Sequence, residues 1–178
     1  LWAVYAGLTL VSFLGYWAAG MSAFDAICHA FSTVATGGFG TRADSLASHG
    51  PLLQWMTVVF MVFAGLNYML LYRAMMGRPG DLLRSTEARV WLLILLIASA
   101  VCFSVLYQGG DSSQAVEPIL RGAVFSVVSI CSTTGFSNVD FGAWPASLQV
   151  AILLLMLSGA CAGSTSGAAK VSRHLIWA

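Results

Sequence analysis

Two short stretches in which threonine and glycine interrupt apolar sequence are the residues of this chain best suited to chemistry. Thr36-Gly37-Gly38-Phe39 is the first, and Thr133-Thr134-Gly135-Phe136 is the second, 97 residues later. Backbone carbonyls and a threonine hydroxyl are neutral oxygen ligands that can replace the water shell of a weakly hydrated alkali cation without trapping it. Glycine permits the dihedral angles needed to turn successive carbonyls toward one axis. The pair therefore predicts cation ligation by backbone at two equivalent places.

The repetition extends to the sequence around each turn. At the same offset Ser32 coincides with Ser129, a short apolar helix is predicted before each turn, and a longer apolar segment follows it. A single Thr-Gly turn could be a surface connection between two helices. Backbone that is neither helix nor barrel persists at membrane depth only when it is buried or lines a water-filled cavity. The duplicated arrangement therefore favours a lined pathway over a surface turn.

Composition places the chain in a lipid bilayer. Hydrophobic residues make up 58% of it and charged residues 8%, whereas soluble domains carry about 25% charge. We expect the chain to cross the membrane several times and to be surrounded by membrane lipid. A net charge of +1, without a basic patch, gives no indication of a nucleic-acid partner.

The charges that are present predict an orientation. Arginines crowd the connection 75–89, and Lys170 and Arg173 lie near the other end of the chain. By the positive-inside rule both regions are expected to be cytoplasmic. The two Thr-Gly turns are then expected toward the external face.

The predicted fold class is an all-α integral membrane protein with two potassium-channel-like repeats, each a membrane helix, a re-entrant pore helix, a filter loop and a second membrane helix. Ser22 and Asp25 have the spacing of a helix N-cap, and the helix they begin, at about 14 residues, is roughly 21 Å long, too short for a core of ~30 Å. Residues 52–76 are long enough to span. The first repeat is predicted over 1–80, with its pore helix at 22–35 and filter at 36–41. The second is predicted over 81–178, with its pore helix at 117–131, filter at 133–138 and a broken outer helix at 146–178.

The break in the last helix is the third notable segment. Residues 159–169 are small, polar and glycine-rich, and each glycine disfavours helix by about 1 kcal/mol relative to alanine. The segment predicts a mobile barrier below the filter. Lys170 closes it, either as a cation that extends toward the membrane surface or as an electrostatic part of the barrier.

Other chemistries have little support in the sequence. The glycine-rich segment lacks the Gly-Lys-Ser/Thr ending of a phosphate-binding loop. His29, His49 and His174 are not placed beside an activated serine, and the four cysteines fall singly, without metal or disulfide spacing. We expect no enzyme activity and no cofactor, only a cation as the transported ligand.

Three segments carry a resemblance to a known family. Residues 29–39, 133–137 and 159–170 together resemble the Trk, Ktr and HKT potassium uptake proteins. That family has four membrane–pore–membrane repeats around one pore, and this chain is similar to the second and third. The resemblance implies that the chain is a piece of a longer protein.

The family's functional residues carry over to matching positions. The resemblance implies potassium ligands at Thr36, Gly37, Gly38, Phe39, Thr133, Thr134, Gly135 and Phe136. It also implies an intramembrane gating loop that includes Gly159, Gly163, Ser164, Thr165, Gly167 and Lys170.

The resemblance further implies potassium uptake in the inner cell membrane, a homodimer, and a cytosolic nucleotide-binding regulatory subunit. Gly38 and Gly135 favour potassium as the transported ion. A sodium-permeable or mixed cation pathway and a non-conducting membrane scaffold remain as alternatives.

Overall fold

The structure, a computed structural model, describes residues 1–109 and 115–177 and is built from helices. Residue 178 of the predicted outer helix lies outside the described part. In chain order the α-helices of that part are α1 (Trp2–Ala18), α2 (Ala23–Val34), α3 (Pro51–Gly65), α4 (Tyr68–Met75), α5 (Gly80–Arg84), α6 (Thr86–Gly109), α7 (Val116–Cys131), α8 (Ala146–Leu157) and α9 (Val171–Trp177).

The two short helices, α2 and α7, begin and end close to the predicted bounds, and residues at the start of each favour a helix there. The Ser22 hydroxyl accepts the Asp25 backbone N–H at 3.1 Å and so caps α2. Glu117 lies in the first turn of α7, where the helix dipole favours an acid. With 12 and 16 residues, the helices are roughly 18 and 24 Å long at 1.5 Å per residue. Both are too short to cross a bilayer alone.

The segment 52–76 differs from its predicted continuous span. Helices α3 and α4 meet at an angle of 104°, and the break falls at Leu66 and Asn67. The Asn67 side chain accepts the Met69 backbone N–H at 2.8 Å and begins α4. Gly65, the last residue of α3, lies against Trp91, whose ring would be 2.5 Å from a β-carbon added at that glycine. The chain therefore turns sharply where a glycine is followed, two residues later, by a capping asparagine.

Helix packing divides the chain into two similar halves. Helices α2 and α3 pack on α1, while α7 packs on both α6 and α8. The halves meet where α3 lies against α7. Tyr16, Trp91 and Phe125 are fully buried, and Leu93, Leu96 and Ile97 on α6 are exposed. Among the described helices, α6 alone is long and apolar enough to cross a bilayer by itself, and α3 with α4 reaches that length only as a bent pair.

Candidate cation filter

The two Thr-Gly turns have the same backbone conformation. Thr36 and Thr133 have φ angles of 53° and 59°, and Gly38 and Gly135 have φ angles of 69° and 85°. Gly37 and Thr134, which lie between them, are outside this left-handed region. Each turn thus alternates in handedness at matched positions 97 residues apart.

The left-handed threonines are strained, because a β-branched residue rarely adopts positive φ. Such a conformation costs about 1–3 kcal/mol and persists only where its surroundings hold it. The Thr36 N–H donates to the Thr33 carbonyl at 3.1 Å, and the Thr133 N–H donates to the Ile130 carbonyl at 2.9 Å. The next residues also match: the N–H groups of Gly37 and Thr134 donate to the carbonyls of Ser32 and Ser129 at 2.7 and 2.9 Å. The pore-helix ends therefore hold both turns in the same way.

A serine anchors the far end of each turn. The Ser32 hydroxyl accepts the Phe39 N–H at 2.7 Å, and the Ser129 hydroxyl donates to the Phe136 carbonyl at 2.6 Å. The two phenylalanines differ in environment. Phe39 is 82% exposed, whereas Phe136 is buried and stacks on His29 of α2, with ring centroids 5.8 Å apart. The second turn is therefore braced against the first pore helix.

The two turns lie side by side. A β-carbon added at Gly38 would overlap the Thr134 carbonyl oxygen and lie 2.9 Å from the Gly135 carbonyl carbon. The structure thus brings both sets of predicted filter residues together. Thr134 and Phe136 are buried, and the backbones of Gly37 and Gly135 are exposed.

The glycine-rich segment lies against the helix-side end of both turns. The Thr36 hydroxyl donates to the Thr165 carbonyl at 3.0 Å, and the Gly167 N–H donates to the Thr133 hydroxyl at 2.6 Å. The Thr165 hydroxyl also donates to the carbonyl of Val34, the last residue of α2, at 2.7 Å. The loop between α8 and α9 is therefore hydrogen-bonded to both left-handed threonines.

The loop has its own internal order. At its neck, the Gly159 N–H donates to the Ala169 carbonyl at 2.7 Å. Gly163 has φ of 74°, and its carbonyl accepts the Tyr68 N–H at 3.1 Å. The Ser164 hydroxyl donates to the Cys161 carbonyl at 2.6 Å. These contacts tie the loop to the break between α3 and α4.

Lys170 is part of this loop. Its ammonium group donates to the Ser166 carbonyl and, at 3.0 Å, to the Ser166 hydroxyl. Of the two roles open at the sequence level, this geometry disfavours a side chain extended toward the membrane surface. The charge is held within the loop.

A polar network joins the two halves on the side of the filter away from the loop. The Gln54 side-chain oxygen accepts Arg121 Nη1 at 2.5 Å and Asn138 Nδ2 at 2.9 Å. Its Nε2 donates to the carbonyls of Leu46 and His49 at 3.0 and 2.9 Å. Gln54 is 2% exposed. One amide of α3 thus links the loop between α2 and α3, the helix α7 and the residue two positions beyond Phe136.

Acidic side chains begin both pore helices and are ionised at neutral pH. Hydrogen bonds from Arg121 are the largest factor that lowers the pKa of Glu117 below its usual value. The hydroxyl of Ser22, followed by that of Thr41, lowers the pKa of Asp25. The N-terminal ends of α2 and α7 therefore each carry a negative charge.

Replacing Gln54 with leucine is expected to destabilise the full-length protein. Arg121 and Asn138 would each lose a buried acceptor, and an unsatisfied buried donor costs about 1–3 kcal/mol. The measurement is the midpoint of thermal unfolding in detergent. Gln149→Leu is the matched control, because Gln149 is exposed and donates only to nearby carbonyls, of Gly142 and Trp144. Equal midpoints for the two variants would contradict a structural role for the network.

Two features of the site were missed at the sequence level. The first is the break at Leu66 and Asn67, where glycine followed by a capping asparagine was a usable signal. The second is Glu87, whose carboxylate accepts the N–H groups of Ala162 and Ser172. These contacts join residues 75 and 85 positions apart, which sequence spacing does not reveal.

Together, the two matched re-entrant helices and their filter-like turns define an α-helical membrane protein with potassium-channel-like repeats. Residues 1–177 match the family described as "TrkH: Cation transport protein". The chain belongs to this family.

Individual relatives agree with that assignment. The chain is 37% identical to the Trk system potassium uptake protein TrkH of Salmonella typhimurium and 36% identical to that of Escherichia coli K12, over 99% of its own length in both cases. The crystal structure of the potassium transporter TrkH from Vibrio parahaemolyticus superposes with a TM-score of 0.93 at 35% identity, covering 99% of this chain and 38% of that one. The chain spans 37% of the length of these two curated relatives.

Proposed function

We propose that the full-length protein containing this chain takes up potassium across the inner membrane. The observation that carries the proposal is the matched alternation of handedness in the two turns, at Thr36 and Gly38 and at Thr133 and Gly135. Alternation of this kind turns neighbouring carbonyls toward one side, where they can replace the hydration shell of an ion. The names of the relatives, which are potassium uptake proteins, support potassium as that ion.

The ligands in this proposal are backbone oxygens of residues 36–39 and 133–136, with the threonine hydroxyls at their inner ends. Helices α2 and α7 end immediately before the two turns. The carbonyl end of a helix carries partial negative charge, which favours a cation near it. Two such ends directed at one region lower the energy of a partly dehydrated cation there.

The gate in this proposal is the loop 159–170, including Gly159, Gly163, Ser164, Thr165, Gly167 and Lys170. Its hydrogen bonds to Thr36 and Thr133 hold it across the inner end of the filter. The Lys170 charge, held at Ser166, raises the barrier for a cation further. Conduction then requires the loop to move away from the threonines.

The proposal extends to partners and orientation. The full-length protein forms a homodimer and binds a cytosolic nucleotide-binding regulatory subunit, as the family resemblance implies. The connection 75–89 and the end of α9 face the cytoplasm, in agreement with the positive-inside rule. The repeats 1–80 and 81–178 correspond to two of the four that surround the pore.

Ion flux in proteoliposomes of the full-length protein tests this function. We expect rubidium uptake that potassium inhibits and sodium does not. Equal entry of sodium would favour the sodium-permeable or mixed pathway. Absence of flux in well-folded protein, with the regulatory subunit and nucleotide added, would favour the non-conducting scaffold.

A further inference from the structure

Glu87 is an acidic residue outside the two turns and the loop, and its carboxylate accepts two backbone hydrogen bonds. It lies in the first turn of α6, within the arginine-rich connection 75–89. One carboxylate oxygen, Oε1, accepts the Ala162 N–H at 2.6 Å and the Ser172 N–H at 3.3 Å. Ala162 lies inside the loop, and Ser172 lies in the first turn of α9. One side chain thus binds the backbone at a residue within the loop and at a residue just after it.

Both N–H groups would otherwise lack an acceptor. The first N–H groups of a helix have no partner within the helix, and Ala162 lies in irregular backbone between α8 and α9. A charged acceptor makes the stronger kind of hydrogen bond. The carboxylate therefore stabilises the backbone on both sides of the segment that contacts the filter.

The two residues bound by Glu87 lie on either side of the residues that contact the filter. Between Ala162 and Ser172 the chain includes Thr165 and Gly167, which bond to Thr36 and Thr133. If Ala162 and Ser172 are fixed, the segment between them has little freedom to leave the filter. A shift of α6 or of the connection before it would release both contacts together.

We propose that Glu87 is a positioning residue that holds the loop against the filter, so that its loss increases basal potassium flux without changing ion preference. This inference rests on the proposed gating role of the loop. In this proposal, hydrogen bonds from a residue on the predicted cytoplasmic side stabilise the closed position of the loop. The hydrogen bonds of Glu87 go to Ala162 and Ser172, which lie outside the two Thr-Gly turns.

The test is a series at position 87 in the full-length protein. We expect Glu87→Ala to raise basal rubidium uptake about tenfold, equivalent to about 1.4 kcal/mol in the closed-to-open balance. Glu87→Asp is expected to behave similarly, because its carboxylate is one methylene short of both N–H groups. Glu87→Gln keeps the accepting oxygen without its charge, so its uptake should be intermediate. The rubidium-to-sodium ratio should stay at the wild-type value throughout.

Asp81→Asn is the matched control. Asp81 is a carboxylate of the same connection, and its ion pair is with Arg73, at 3.9 Å. It should leave basal uptake unchanged. Because Glu87→Gln retains the acceptor, it provides a folded variant for the comparison even if Glu87→Ala is poorly expressed.

A second readout separates positioning from a general loss of structure. Cys161 is adjacent to Ala162 and fully buried. In protein whose other cysteines have been replaced, Glu87→Ala should increase the rate at which a cytoplasmic thiol reagent modifies Cys161, while the thermal midpoint stays near that of Asp81→Asn. Unchanged Cys161 reactivity in Glu87→Ala and Glu87→Gln would overturn the proposal.

Removal of the loop separates failure of this inference from failure of the gate. If loop deletion raises flux but the Glu87 variants change neither flux nor Cys161 reactivity, the gate stands and the role of Glu87 is wrong. If loop deletion leaves flux unchanged in folded protein, the gate itself is wrong. In a deletion that does raise flux, adding Glu87→Ala should raise it no further, and an additional increase would overturn the assignment.

Discussion

Replacing Gly38 with alanine in the full-length protein is expected to abolish potassium uptake, whereas Gly135→Ala should leave uptake measurable but with weaker preference for potassium over sodium. Both glycines have positive φ, which costs an L-residue about 1–2 kcal/mol. The two glycines differ in the space available for an added side chain. A β-carbon at Gly38 would overlap the Thr134 carbonyl oxygen, while one at Gly135 would meet nothing within 4 Å.

The physical reason for the difference is the contact between the two turns. At Gly38 the added carbon must push away the backbone of the second turn, which displaces proposed ligands in both repeats. At Gly135 the only cost is backbone strain, and the methyl group extends into open space beside exposed carbonyls. The first change therefore disrupts the filter and the second perturbs it.

Rubidium and sodium uptake in proteoliposomes, with gel filtration to verify folding, provides the measurement. Gly20→Ala is the matched control, since Gly20 has φ of 101° and open space around its α-carbon but lies outside the filter. Its uptake should equal that of the wild type. Wild-type uptake and selectivity in Gly38→Ala would remove the paired turns from the ion path, and an unchanged ion ratio in Gly135→Ala would remove Gly135 from the filter.

The pore helices could be predicted from sequence because local signals determine them. Ser22 and Asp25 mark the start of α2, and the Thr-Gly turn marks its end. Because the sequence is repeated internally, the same elements could be predicted in the same order in each half. The left-handed φ of Thr36 and Thr133 was not predictable from residue type, because threonine disfavours it. That conformation depends on pore-helix carbonyls and on a loop more than 100 residues away from Thr36.

The break between α3 and α4 shows what hydropathy cannot reveal. Residues on both sides of Asn67 are apolar, so a window average reports one continuous span. The direction of α4 is set by tertiary contacts, including the Tyr68 hydroxyl, which donates to the Val34 carbonyl at 3.2 Å. The same limit applies to Glu87, which in the sequence is an ordinary acid in the first turn of a helix. Its significance comes from backbone groups that only the folded chain brings close.

Deleting residues 160–168 is expected to raise basal potassium flux by tenfold or more, which requires a barrier lowered by about 1.4 kcal/mol. The deleted segment begins after Gly159 and ends before Ala169, the two residues whose hydrogen bond of 2.7 Å forms the neck of the loop. It removes the contacts of Thr165 and Gly167 with the filter threonines, and the contact of Ala162 with Glu87. The proposed ligands in residues 36–39 and 133–136 remain, and the potassium-to-sodium ratio should therefore change little.

Lys170→Ala is the milder form of the same experiment. It removes the positive charge and the hydrogen bonds to Ser166 but leaves the loop in place, so we expect a smaller rise in flux than the deletion gives. Arg173→Ala is the matched control for loss of a nearby cation, because Arg173 is exposed on α9 beyond the loop. The comparison uses initial uptake rates in proteoliposomes of the full-length protein. If flux stays at the wild-type level in a folded deletion, the loop is not a gate. Its glycines would then be explained by close packing, since a β-carbon at Gly159 would lie 2.7 Å from the Gly167 carbonyl oxygen.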